Sequence, residues 1–441
     1  MSCVLIWFRN DLRVSDQPAL MAAVAQAEQL RLPLRPVYVW DSAQSQGTRW
    51  VAQRMGPHRR TWLTGNVQAL DEQLQRLGSR LLVLHGQADA LLPTVMRHSG
   101  AVAVHAEALH APEEAMQAEL VGQAAATLAC ELKLHAQSTL LPLDQLPWSP
   151  PQVPEVFTAF RRQVEQAKVQ PRAPLPAPQR MPPLPEVPAL WGDPVTPIAA
   201  LADGESQPDP RSSFPFHQAA CAPGEASAQA HLTQYLARQL PHSYKATRNG
   251  LSGVDFSSKF SPWLASGALS APQIMAALRD FESNHGASDS SYWLWFELLW
   301  RDHFRLLQAK HGAALYRARG LSPLPTPPHD KVAFQRWCEG RTGEPLVDAG
   351  MRELAATGWL SNRMRQIVAS YLIHELACDW RAGAAWFESR LIDFDVHSNQ
   401  GNWLYIAGRG TDPRGGRRFN PDKQARDHDP DGAYRRLWGT A

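Results

Sequence analysis

Apolar and polar positions divide the chain into two halves with different periodicities. In the first half, short apolar runs rich in valine and leucine alternate with longer segments whose apolar residues repeat at helical spacing. The runs predict strands at 3–8, 35–40, 80–85, 101–106 and 130–136, with helices around 16–28, 52–78, 88–98 and 112–127. Strands that alternate with helices pair in parallel and are covered on both faces. Residues 1–140 are therefore predicted to form a doubly wound α/β domain with a five-stranded parallel sheet.

Strand signals vanish after about residue 216, and helical stretches follow one another from there. Residues 216–441 are therefore predicted to form an all-α domain. Between the two domains, residues 141–215 contain half of the chain's 36 prolines. So many fixed φ angles and missing N–H donors predict a connector without regular structure, except for one helix at 154–167. The part from 169 to 215 is expected to be the most mobile.

Composition narrows the possible partners and the compartment. The 44 basic and 42 acidic residues leave a net charge of only +2, so any contact with nucleic acid must come from a local basic patch. The five cysteines lack CxxC spacing and the 16 histidines lack a ligand pattern, which predicts reduced thiols and no metal site. The first apolar run, CVLIWF, is too short for a signal peptide, and no run is long enough to span a membrane. We therefore expect a cytoplasmic protein.

Phosphate-binding chemistry is predicted in the helical half of the chain. After the first strand the chain reads Arg9-Asn10-Asp11-Leu12-Arg13 without the GxGxxG glycines, so a dinucleotide site of the Rossmann kind is not predicted. By contrast, Ser257-Ser258-Lys259-Phe260-Ser261 offers three hydroxyls, successive backbone N–H groups and one ammonium at a predicted helix start. These groups supply the donors and the positive charge that bind a diphosphate.

The helical segment WLWFELLWRDHF carries an unusual stripe of side chains. Glu297, Trp300, Arg301 and Phe304 are spaced i, i+3, i+4 and i+7, so they share one face of a helix. A carboxylate, a flat ring and a guanidinium on one face fit the floor of a cavity for an aromatic ligand. The alternative is an ordinary amphipathic helix with core tryptophans and solvated charges. The 16 tryptophans of the chain leave the same choice between core filler and a role in electron transfer or base stacking.

Long stretches of the sequence resemble the photolyase/cryptochrome family, specifically its DASH cryptochromes. The stretch YKATRNGLSGVDFSSKFSPWLASGALS is similar to the family's flavin-phosphate segment. The resemblance continues through FELLWRDHF, GRTGEPLVDAGMREL, TGWLSNRMRQIVAS, DWRAGAAWFE, LIDFDVHSNQGNWLYIAGRGTDPR and FNPDKQARDHDPDGAY, and the opening LIWFRNDLRVSDQPAL also matches. It covers almost the whole chain apart from a variable middle.

The resemblance implies a flavoprotein with FAD in the all-α domain and an antenna chromophore near the domain interface, often a folate such as 5,10-methenyltetrahydrofolate. It further implies light-driven splitting of cyclobutane pyrimidine dimers, chiefly in single-stranded DNA, by electron transfer from excited reduced FAD. We expect a monomer. The alternatives are a blue-light photoreceptor with little or no repair activity and, more remotely, a nucleic-acid-binding flavoprotein without a light function.

By resemblance, the FAD contacts fall into two groups. The diphosphate and ribose contacts are Tyr244, Ser257, Ser258, Lys259, Phe260, Ser261 and Arg301, and the second group is Asn362, Asp393, Asp395 and Asn399. The pair Asp393 and Asp395 also fits an N-terminal cap of the helix that holds Asn399, and the two roles are compatible. Asn399 corresponds to the position facing flavin N5, where an amide adds no negative charge beside a reduced flavin. This position favours repair over signalling.

Glu297 and Trp300 correspond to the dimer contacts of repair enzymes, a carboxyl at the pyrimidine edge and a stacking ring. Asn362, Gln366 and Tyr405 complete the implied substrate pocket. Duplex-acting photolyases have methionine in place of Gln366 and tryptophan in place of Tyr405, so this pocket returns less stacking energy. Because pulling a base out of a duplex costs a few kcal/mol, a single strand is the expected substrate. The histidine pair of six-four photolyases is absent from this segment, which excludes that activity.

A local basic rim is predicted around the mouth of the substrate cavity. Its candidate phosphate contacts are Arg365, Arg409 and Arg414, with Arg363, Arg417, Arg418 and Lys423 as further members. A basic rim that encloses aromatic residues suits single-stranded nucleic acid. Each arginine has the alternative of pairing with a nearby acid such as Asp412 or Asp427.

The resemblance also implies a tryptophan relay that reduces the flavin. Trp380 and Trp403 correspond to its inner and middle members. Where the outer surface tryptophan is expected, ten residues before Trp337, this chain has Pro327. The relay therefore ends at Trp337, ends at another residue or stays incomplete.

One acidic residue is implied as an antenna contact. Glu107, in VHAEALH after the fourth strand, corresponds to the position of such a contact in the family. The alternative is a solvated loop carboxylate.

Overall fold

The first third of the chain forms the predicted α/β domain. A computed structural model describes residues 2–185, 196–202 and 206–439. The strands are β1 (Cys3–Phe8), β2 (Leu34–Asp41), β3 (Leu82–Gly86), β4 (Ala101–Glu107) and β5 (Glu131–His135). The helices between them are α1 (Pro18–Leu30), α2 (Pro57–Arg76), α3 (Ala88–Ser99) and α4 (Pro112–Thr127).

All five strands pair in parallel in the order β3-β2-β1-β4-β5. Every residue of β1 is buried, because helices cover both faces of the central strand. The strand order reverses beside β1, since β2 follows it on one side and β4 lies on the other. The carboxyl ends of strands at such a reversal form a crevice where ligands bind in open α/β sheets. The predicted doubly wound sheet is thus confirmed.

The helical half begins near residue 219 and has no strand among the residues that the structure describes. Its first helices are α6 (Glu225–Ala237), α7 (Tyr244–Thr247), α8 (Ser261–Ser266), α9 (Ala271–His285) and α10 (Asp289–His311). The remainder are α11 (Lys331–Cys338), α12 (Pro345–Thr357), α13 (Asn362–His374), α14 (Trp380–Arg390), α15 (Val396–Ala407), α16 (Pro421–His428) and α17 (Ala433–Leu437). The all-α prediction is confirmed.

Helix α10 is the longest helix of this half, and local signals define both of its ends. The Ser288 hydroxyl accepts a hydrogen bond from the Ser291 backbone N–H at 3.0 Å, and the Ser291 hydroxyl accepts one from the Ser288 N–H, which forms a capping box. At the other end Gly312 adopts a φ of +50°, where a residue without a Cβ ends the helix at little cost.

The connector contains the one helix that its sequence predicts. Helix α5 (Phe157–Gln166) buries Phe157, Phe160 and Val164, which are spaced i, i+3 and i+7 along one face. This face packs on α10, where the Phe157 ring stacks on Trp300. The connector thereby contributes to the core of the helical half.

The rest of the connector follows the surface of the α/β domain. The Met181 backbone N–H donates to the Leu77 carbonyl at 3.0 Å, and the Leu34 N–H donates to the Pro183 carbonyl at 3.0 Å. These bonds anchor the backbone before residue 186, where the sequence predicted mobility. The residues 186–195 and 203–205 of the segment predicted to be mobile lie outside the described residues.

Polar contacts join the two domains. The Asp302 carboxylate of α10 accepts hydrogen bonds from the backbone N–H groups of Leu140 and Leu141, each at 2.9 Å. The Leu12 N–H donates to the Ser266 carbonyl at the end of α8, at 3.1 Å. Because these groups are buried, each lost partner would leave an unsatisfied polar atom. The interface is therefore specific, and it encloses one of the cavities described below.

Candidate functional site

A cavity of about 300 Å³ lies in the centre of the helical half. It is bordered by α7, the segment before α8, and helices α10, α13 and α15. Fifteen of the predicted site residues line it: Tyr244, Ser257, Ser258, Lys259, Phe260, Ser261, Glu297, Arg301, Asn362, Arg365, Gln366, Asp393, Asp395, Asn399 and Trp403. Residues from distant parts of the sequence therefore meet at one site.

The backbone at the start of α8 is shaped to bind an anion. Ser257 and Lys259 have φ angles of +65° and +58°, whereas Phe260 between Lys259 and the helix has a φ of −73°. Alternating left- and right-handed residues turn successive N–H groups toward one point and form a nest for an anion. The hydroxyls of Ser257, Ser258 and Ser261 border the same cavity.

Lys259 is a buried cation that forms no direct ion pair with a described residue, although the Glu353 carboxyl lies near enough to interact with it. Its side chain is 4 % exposed, and no carboxylate of a described residue forms an ion pair with it. Burial lowers the pKa of Lys259 to about 8, because the charged form loses its hydration. Its Nζ lies 5.1 Å from the centroid of the Trp359 ring. A diphosphate would supply the missing negative charge, so this end of the cavity fits the phosphates of FAD.

Asp393 is held by two partners inside the cavity. It accepts a hydrogen bond from the Ser261 hydroxyl at 2.7 Å and binds the Arg365 guanidinium through both carboxylate oxygens, at 2.8 and 3.0 Å. The Arg365 guanidinium also stacks over Trp359 at 5.2 Å. Arg365 was predicted to bind DNA phosphates; its guanidinium is paired here with a buried carboxylate, and the contact with DNA stays a prediction.

Asp395 caps α15, as one of its two predicted roles requires. Its carboxylate accepts a hydrogen bond from the Ser398 N–H at 2.7 Å and pairs with Arg305. Burial acts to raise the pKa of Asp395, but Arg305, with smaller effects from His397 and Arg301, holds it well below its usual range. Asp395 therefore stays ionised in the wall of the cavity.

Arg301 lines the cavity beside this carboxylate. Its Nη1 donates to the Ser138 backbone carbonyl, which fixes the guanidinium across the domain interface. Burial and the neighbouring Arg305 lower the pKa of Arg301 to about 10. The carboxylates of Asp395, Asp302 and Glu107 oppose this shift, so Arg301 lies among charges of both signs.

Asn399 lies between two cavities, because it lines both the central cavity and the one between the domains. Its Nδ2 donates to the Ala384 carbonyl of α14 at 3.1 Å. This bond fixes the orientation of the amide and leaves its oxygen for a ligand. An amide held in this way can tune a redox cofactor beside it.

Glu297 forms an ion pair inside the central cavity. Its Oε1 lies 2.7 Å from Nη1 of Arg248, which also lines the cavity. Burial raises the pKa of Glu297, and Arg248 opposes this shift. Neither Arg248 nor the cavity residue Trp359 was predicted as a site residue. Both lie within segments that resemble the family, so the resemblance could have identified them as site residues.

Trp300 and Tyr405 lie in a different cavity from Glu297. They border a space of about 240 Å³, which Phe304 also lines. The Trp300 ring stacks on Phe157 with the centroids 3.8 Å apart and 9° between the planes, and its edge meets Tyr405 at 5.9 Å. The expectation that Glu297, Trp300, Arg301 and Phe304 form one cavity floor is therefore wrong. The contact between α10 and α15 divides these side chains between the two cavities.

Two further candidates for the basic rim have defined partners. Arg409 is 8 % exposed, and its Nη2 donates to the Pro325 carbonyl at 2.8 Å. A buried guanidinium cannot reach a DNA backbone, so its assignment to phosphate binding is wrong. Arg414 is exposed and pairs with Asp412 at 2.9 Å, as its alternative anticipated.

Other basic residues remain at the mouth of the second cavity or near it. The Arg417 Nε donates to the Tyr405 hydroxyl at 2.8 Å, and Arg363 donates to the Asn249 side chain at 3.0 Å. Arg418 and Lys423 are exposed. Arg417 contacts Tyr405 of the second cavity and Arg363 follows Asn362 of the central one, so these two residues keep positive charge close to the cavities.

The two predicted relay tryptophans occupy different positions. Trp403 lines the central cavity, whereas Trp380 lines the cavity between the domains. Trp403 is therefore the member next to the predicted flavin, the reverse of the order in which the two were assigned. Trp337 is fully buried, and its ring lies 6.4 Å from that of Trp403.

The cavity between the domains has a volume of about 560 Å³ and lies at the carboxyl edge of the sheet. Its α/β side includes Trp7, Arg9, Tyr38, Trp40, Gln44, Trp50, Arg54 and Arg59, and its helical side includes Trp380, Arg381, Ala384, Asn399 and Gln400. The buried Gln44 Oε1 has no hydrogen-bond partner among the described residues.

Glu107 lies close behind this cavity and not in a solvated loop. It is the last residue of β4, it is 3 % exposed, and Arg9 donates to its backbone carbonyl at 3.3 Å. Burial, with the nearby Asp11, raises the pKa of Glu107 to about 7. Its Oε2 has no partner among the described residues. The solvated alternative is wrong, whereas a role toward an antenna stays a prediction.

The described residues contain neither a metal-binding cluster nor a helix that could span a membrane. No group of three or more histidine, cysteine, aspartate and glutamate side chains is placed to hold a metal ion. None of the helices in the described ranges is both long and apolar enough to cross a membrane.

Comparisons with known proteins define the class of protein first. Residues 4–179 match the family model described as DNA photolyase, and residues 293–440 match the FAD binding domain of DNA photolyase. The first match spans the α/β domain and the second spans most of the central cavity. The fold and the site therefore define a flavoprotein of the photolyase type.

Full-length relatives identify the branch. The chain is 45 % identical to Cryptochrome DASH of Gloeobacter violaceus, over 99 % of this chain and 85 % of the relative. The crystal structure of Synechocystis cryptochrome matches with a TM-score of 0.93 and 39 % identity, over 99 % of this chain and 88 % of that one. An archaeal photolyase of Sulfolobus tokodaii, with two FAD molecules, matches with a TM-score of 0.76 and 25 % identity, over 100 % of this chain and 90 % of that one. The chain belongs to the photolyase/cryptochrome family, in its DASH cryptochrome branch.

Proposed function

We propose that the protein splits cyclobutane pyrimidine dimers under blue light, chiefly in single-stranded DNA. One observation carries the proposal: the anion-binding segment, the fixed amide of Asn399 and the Glu297–Arg248 pair border the same cavity. A cofactor bound by the first two would lie against a substrate bound by the third. Such proximity is what a direct electron transfer between two bound molecules needs.

The residues of this chain would hold FAD at both ends. Ser257, Ser258 and Lys259 would bind the diphosphate, and Asp393 and Asn399 would orient the remainder. When bound and reduced, photoexcited FAD supplies one electron to a pyrimidine dimer and accepts it back after the ring opens. The protein contributes orientation, a site with little water and the polar contacts that fix the substrate.

Glu297 and Arg248 would bind the polar edge of a pyrimidine dimer. The Glu297 carboxylate, held by its ion pair with Arg248, would accept from a pyrimidine N–H, and the Arg248 guanidinium could donate to a neighbouring pyrimidine carbonyl. Asn362 and Gln366 border the same space and offer further amide donors and acceptors. Together these four side chains make a polar recognition surface.

The proposed preference for single strands rests on the free energy needed to extrude a base from a duplex. Extrusion of a base from a duplex costs a few kcal/mol. Gln366 is polar, and Tyr405 lies outside the central cavity, where its ring contacts Trp300. Stacking in this site would offset only a small part of the free energy needed to extrude a base from a duplex, so an unpaired strand is the favoured substrate. The net charge of +2 also gives little general attraction to a duplex.

The test is repair of one thymine dimer in a single-stranded oligonucleotide and in its duplex, with FAD-loaded, chemically reduced protein under blue light. We expect the single strand to be repaired at least about tenfold faster, since 1.4 kcal/mol corresponds to a factor of ten. The Glu297→Ala variant should lose most of this repair, whereas Glu339→Ala, which removes a surface carboxylate paired with Arg341, should keep it.

Each outcome of this test is informative. Equal repair of both substrates would leave a dimer-splitting enzyme and contradict the interpretation of Gln366 and Tyr405. Failure of the loaded, reduced protein to repair either substrate would support the second candidate function, a blue-light photoreceptor. The observation in favour of that candidate is the Trp300 ring, which stacks on Phe157 and not in the cavity of Glu297.

We also propose an antenna chromophore in the cavity between the domains, with a folate as the first candidate. The cavity lies at the carboxyl edge of the sheet, where α/β folds bind ligands, and it has aromatic walls. The unpartnered oxygens of Gln44 and, just behind the cavity, Glu107 offer hydrogen-bond acceptors. The second FAD of the Sulfolobus tokodaii photolyase, whose published description implies a novel light-harvesting cofactor, gives a precedent for an antenna in a relative.

A cytoplasmic monomer completes the proposal. All five cysteines are unpaired and buried, which suits a reducing compartment. Size-exclusion chromatography with light scattering at micromolar concentration should return the mass of one chain, 49.0 kDa.

A further inference from the structure

The proposed function needs a path by which electrons reach a buried flavin, and the following inference rests on that function. Pro327 occupies the position where an outer tryptophan is expected, and its side chain cannot be oxidised. The structure nevertheless provides an oxidisable ring at this place, and the ring comes from the other domain.

A series of aromatic rings leads away from the central cavity. Trp403 lines the cavity, and the edge of its ring meets Trp337 with the centroids 6.4 Å apart and 75° between the planes. Trp337 in turn stacks on Phe334 at 6.0 Å, with 22° between the planes. All three rings are buried in one core cluster of the helical half, so the path is rigid and dry up to this point.

The series continues to the surface through the domain interface. His329 lies 5.4 Å from Phe334 and 4.7 Å from Trp50, measured between ring centroids. Trp50 belongs to the loop between β2 and α2, and its ring is partly exposed. His329 is only two residues after Pro327. Trp50 therefore lies next to the segment in which the missing outer tryptophan was expected.

A second set of contacts links Trp50 to Trp380, the other predicted relay residue. Trp50 and Trp380 line the same cavity between the domains, and the guanidinium carbon of Arg381, the residue after Trp380, lies 5.9 Å from the Trp50 ring centroid. On the inner side, the Trp403 ring packs so closely on Gly383 that a Cβ there would lie 2.1 Å from Cη2 of Trp403. Trp380 begins the helix that holds Gly383, so it lies one turn from this contact.

We propose that Trp50 is the surface end of the electron path and replaces the outer tryptophan across the domain interface. With FAD bound, Trp403 would give one electron to the photoexcited oxidised flavin, Trp337 would reduce Trp403, and Trp50 would reduce Trp337 by tunnelling through the packed rings of Phe334 and His329, which are not themselves oxidised. The Trp50 indole then loses its Nε1 proton to water and becomes a neutral radical. An added thiol returns one electron and one proton to Trp50 and becomes a thiyl radical, and two such radicals couple to a disulfide.

The surroundings of Trp50 favour this loss of a proton. The guanidinium of Arg49 lies 4.1 Å from the ring centroid, and Arg381 faces the ring from the second domain. Asp379 offsets the charge of Arg381 through their ion pair, so the charge of Arg49 is the one that destabilises a positively charged indole and promotes release of its proton where water is accessible. Once the proton has left, return of the electron to Trp50 requires a proton as well, and the separated charges live longer.

The decisive experiment is flash photolysis of the FAD-loaded, oxidised protein with detection of tryptophan radicals by transient absorption. In the Trp50→Phe variant we expect the long-lived neutral tryptophan radical to be lost and the initial flavin absorption to recover at least tenfold faster. The Trp148→Phe variant is the matched control, because Trp148 is a partly exposed tryptophan that packs on Phe160 in another core cluster. It should decay like the wild type.

A conservative variant separates electron transfer from packing. Trp50→Tyr should give a tyrosyl radical absorption in place of the tryptophan signal, which a purely structural role would not produce. Illumination in air should also leave oxidation products on Trp50, and peptide mass spectrometry would locate them. Wild-type radical decay in Trp50→Phe, with the flavin absorption and the thermal unfolding midpoint unchanged, would overturn the proposal.

This result is independent of the repair test. Dimer splitting is measured with chemically reduced wild-type protein, which does not need light-driven reduction. Loss of the long-lived radical in Trp50→Phe together with an absence of repair would remove the proposed enzyme activity and keep the electron path. Repair by the wild type with unchanged radical decay in the variant would keep the activity and remove the path.

Discussion

At the scale of single residues, the buried cation Lys259 shows how the site is prepared for its ligand. An ammonium that is 4 % exposed and forms no ion pair with a described residue loses its hydration, and the nearby Glu353 offsets only part of this loss. The left-handed φ angles of Ser257 and Lys259 turn backbone donors toward the same cavity. Both features raise the energy of the free protein, and both are relieved when a diphosphate binds.

The Lys259→Met variant should therefore bind FAD about 10- to 100-fold more weakly, because a hydrogen bond to a charged group contributes about 1.5–3 kcal/mol. The measurement is titration of flavin-free protein by flavin fluorescence. The matched control is Lys245→Met, since Lys245 is an exposed lysine whose ion pair with Asp289 lies on the surface. Equal losses in both variants would contradict a specific phosphate contact.

The same residue makes FAD affinity depend on pH. Burial lowers the pKa of Lys259 to about 8 in the free protein, and a bound phosphate raises it again, so binding takes up a proton at and above pH 8. We expect the affinity to stay constant well below pH 8 and to fall as the pH rises through 8. Lys259→Met should remove this fall, and an unchanged pH profile in the variant would contradict the assignment.

At the scale of elements, close helix packing fixes which side chains share a cavity. Gly401 of α15 lies against Phe304, and Gly383 of α14 lies against the ring of Trp403. These contacts bring α10, α14 and α15 together and divide the side chains of α10 between two cavities. A protein interior this dense has little room for an added methyl group.

The Gly383→Ala substitution tests this packing. Its Cβ would lie 2.1 Å from Trp403 Cη2 and 2.6 Å from Leu372 Cδ2, so the helices must move apart at a cost of about 1–3 kcal/mol. We expect a lower thermal unfolding midpoint. Gly122→Ala in α4 is the control, because its Cβ would meet only Leu132 at 3.4 Å, and alanine is the better helix former by about 1 kcal/mol. A lowered midpoint in both variants would show that packing at Gly383 is not the cause.

At the scale of the whole molecule, the domain interface creates a cavity that neither domain forms alone. Its walls combine the carboxyl edge of the sheet with α14 and α15, and Asn399 connects it with the central cavity. A chromophore in this cavity would lie beside the predicted flavin, as transfer of excitation energy requires. Trp50 reaches the helical half across the same interface.

The antenna proposal predicts that Gln44→Ala binds 5,10-methenyltetrahydrofolate roughly tenfold more weakly, because the buried Oε1 loses its role as an acceptor. Equilibrium dialysis with detection of the folate absorption measures this affinity. The control is Gln46→Ala, since Gln46 is exposed and lies two residues away in the same turn. Equal folate affinity in all three proteins would place the antenna elsewhere or exclude a folate.

The sequence by itself determined the architecture and most of the residues of the cofactor site. Alternating apolar runs and helical periods were enough for the parallel sheet, because period and burial are local properties of a chain. The phosphate-binding segment was equally local, since its hydroxyls, N–H groups and ammonium lie within five residues of sequence. These features were visible before any contact was known.

Only the tertiary structure decided how these residues are used. Helical spacing placed Trp300 beside Glu297, but the packing of α10 against α5 and α15 turned its ring toward Phe157. Sequence spacing likewise could not show that Arg365 binds Asp393 or that Arg409 is buried. Trp50 meets His329 across 279 residues of sequence, and such contacts depend on how whole elements pack. Local patterns determine which elements form, whereas long-range packing determines which side chains meet.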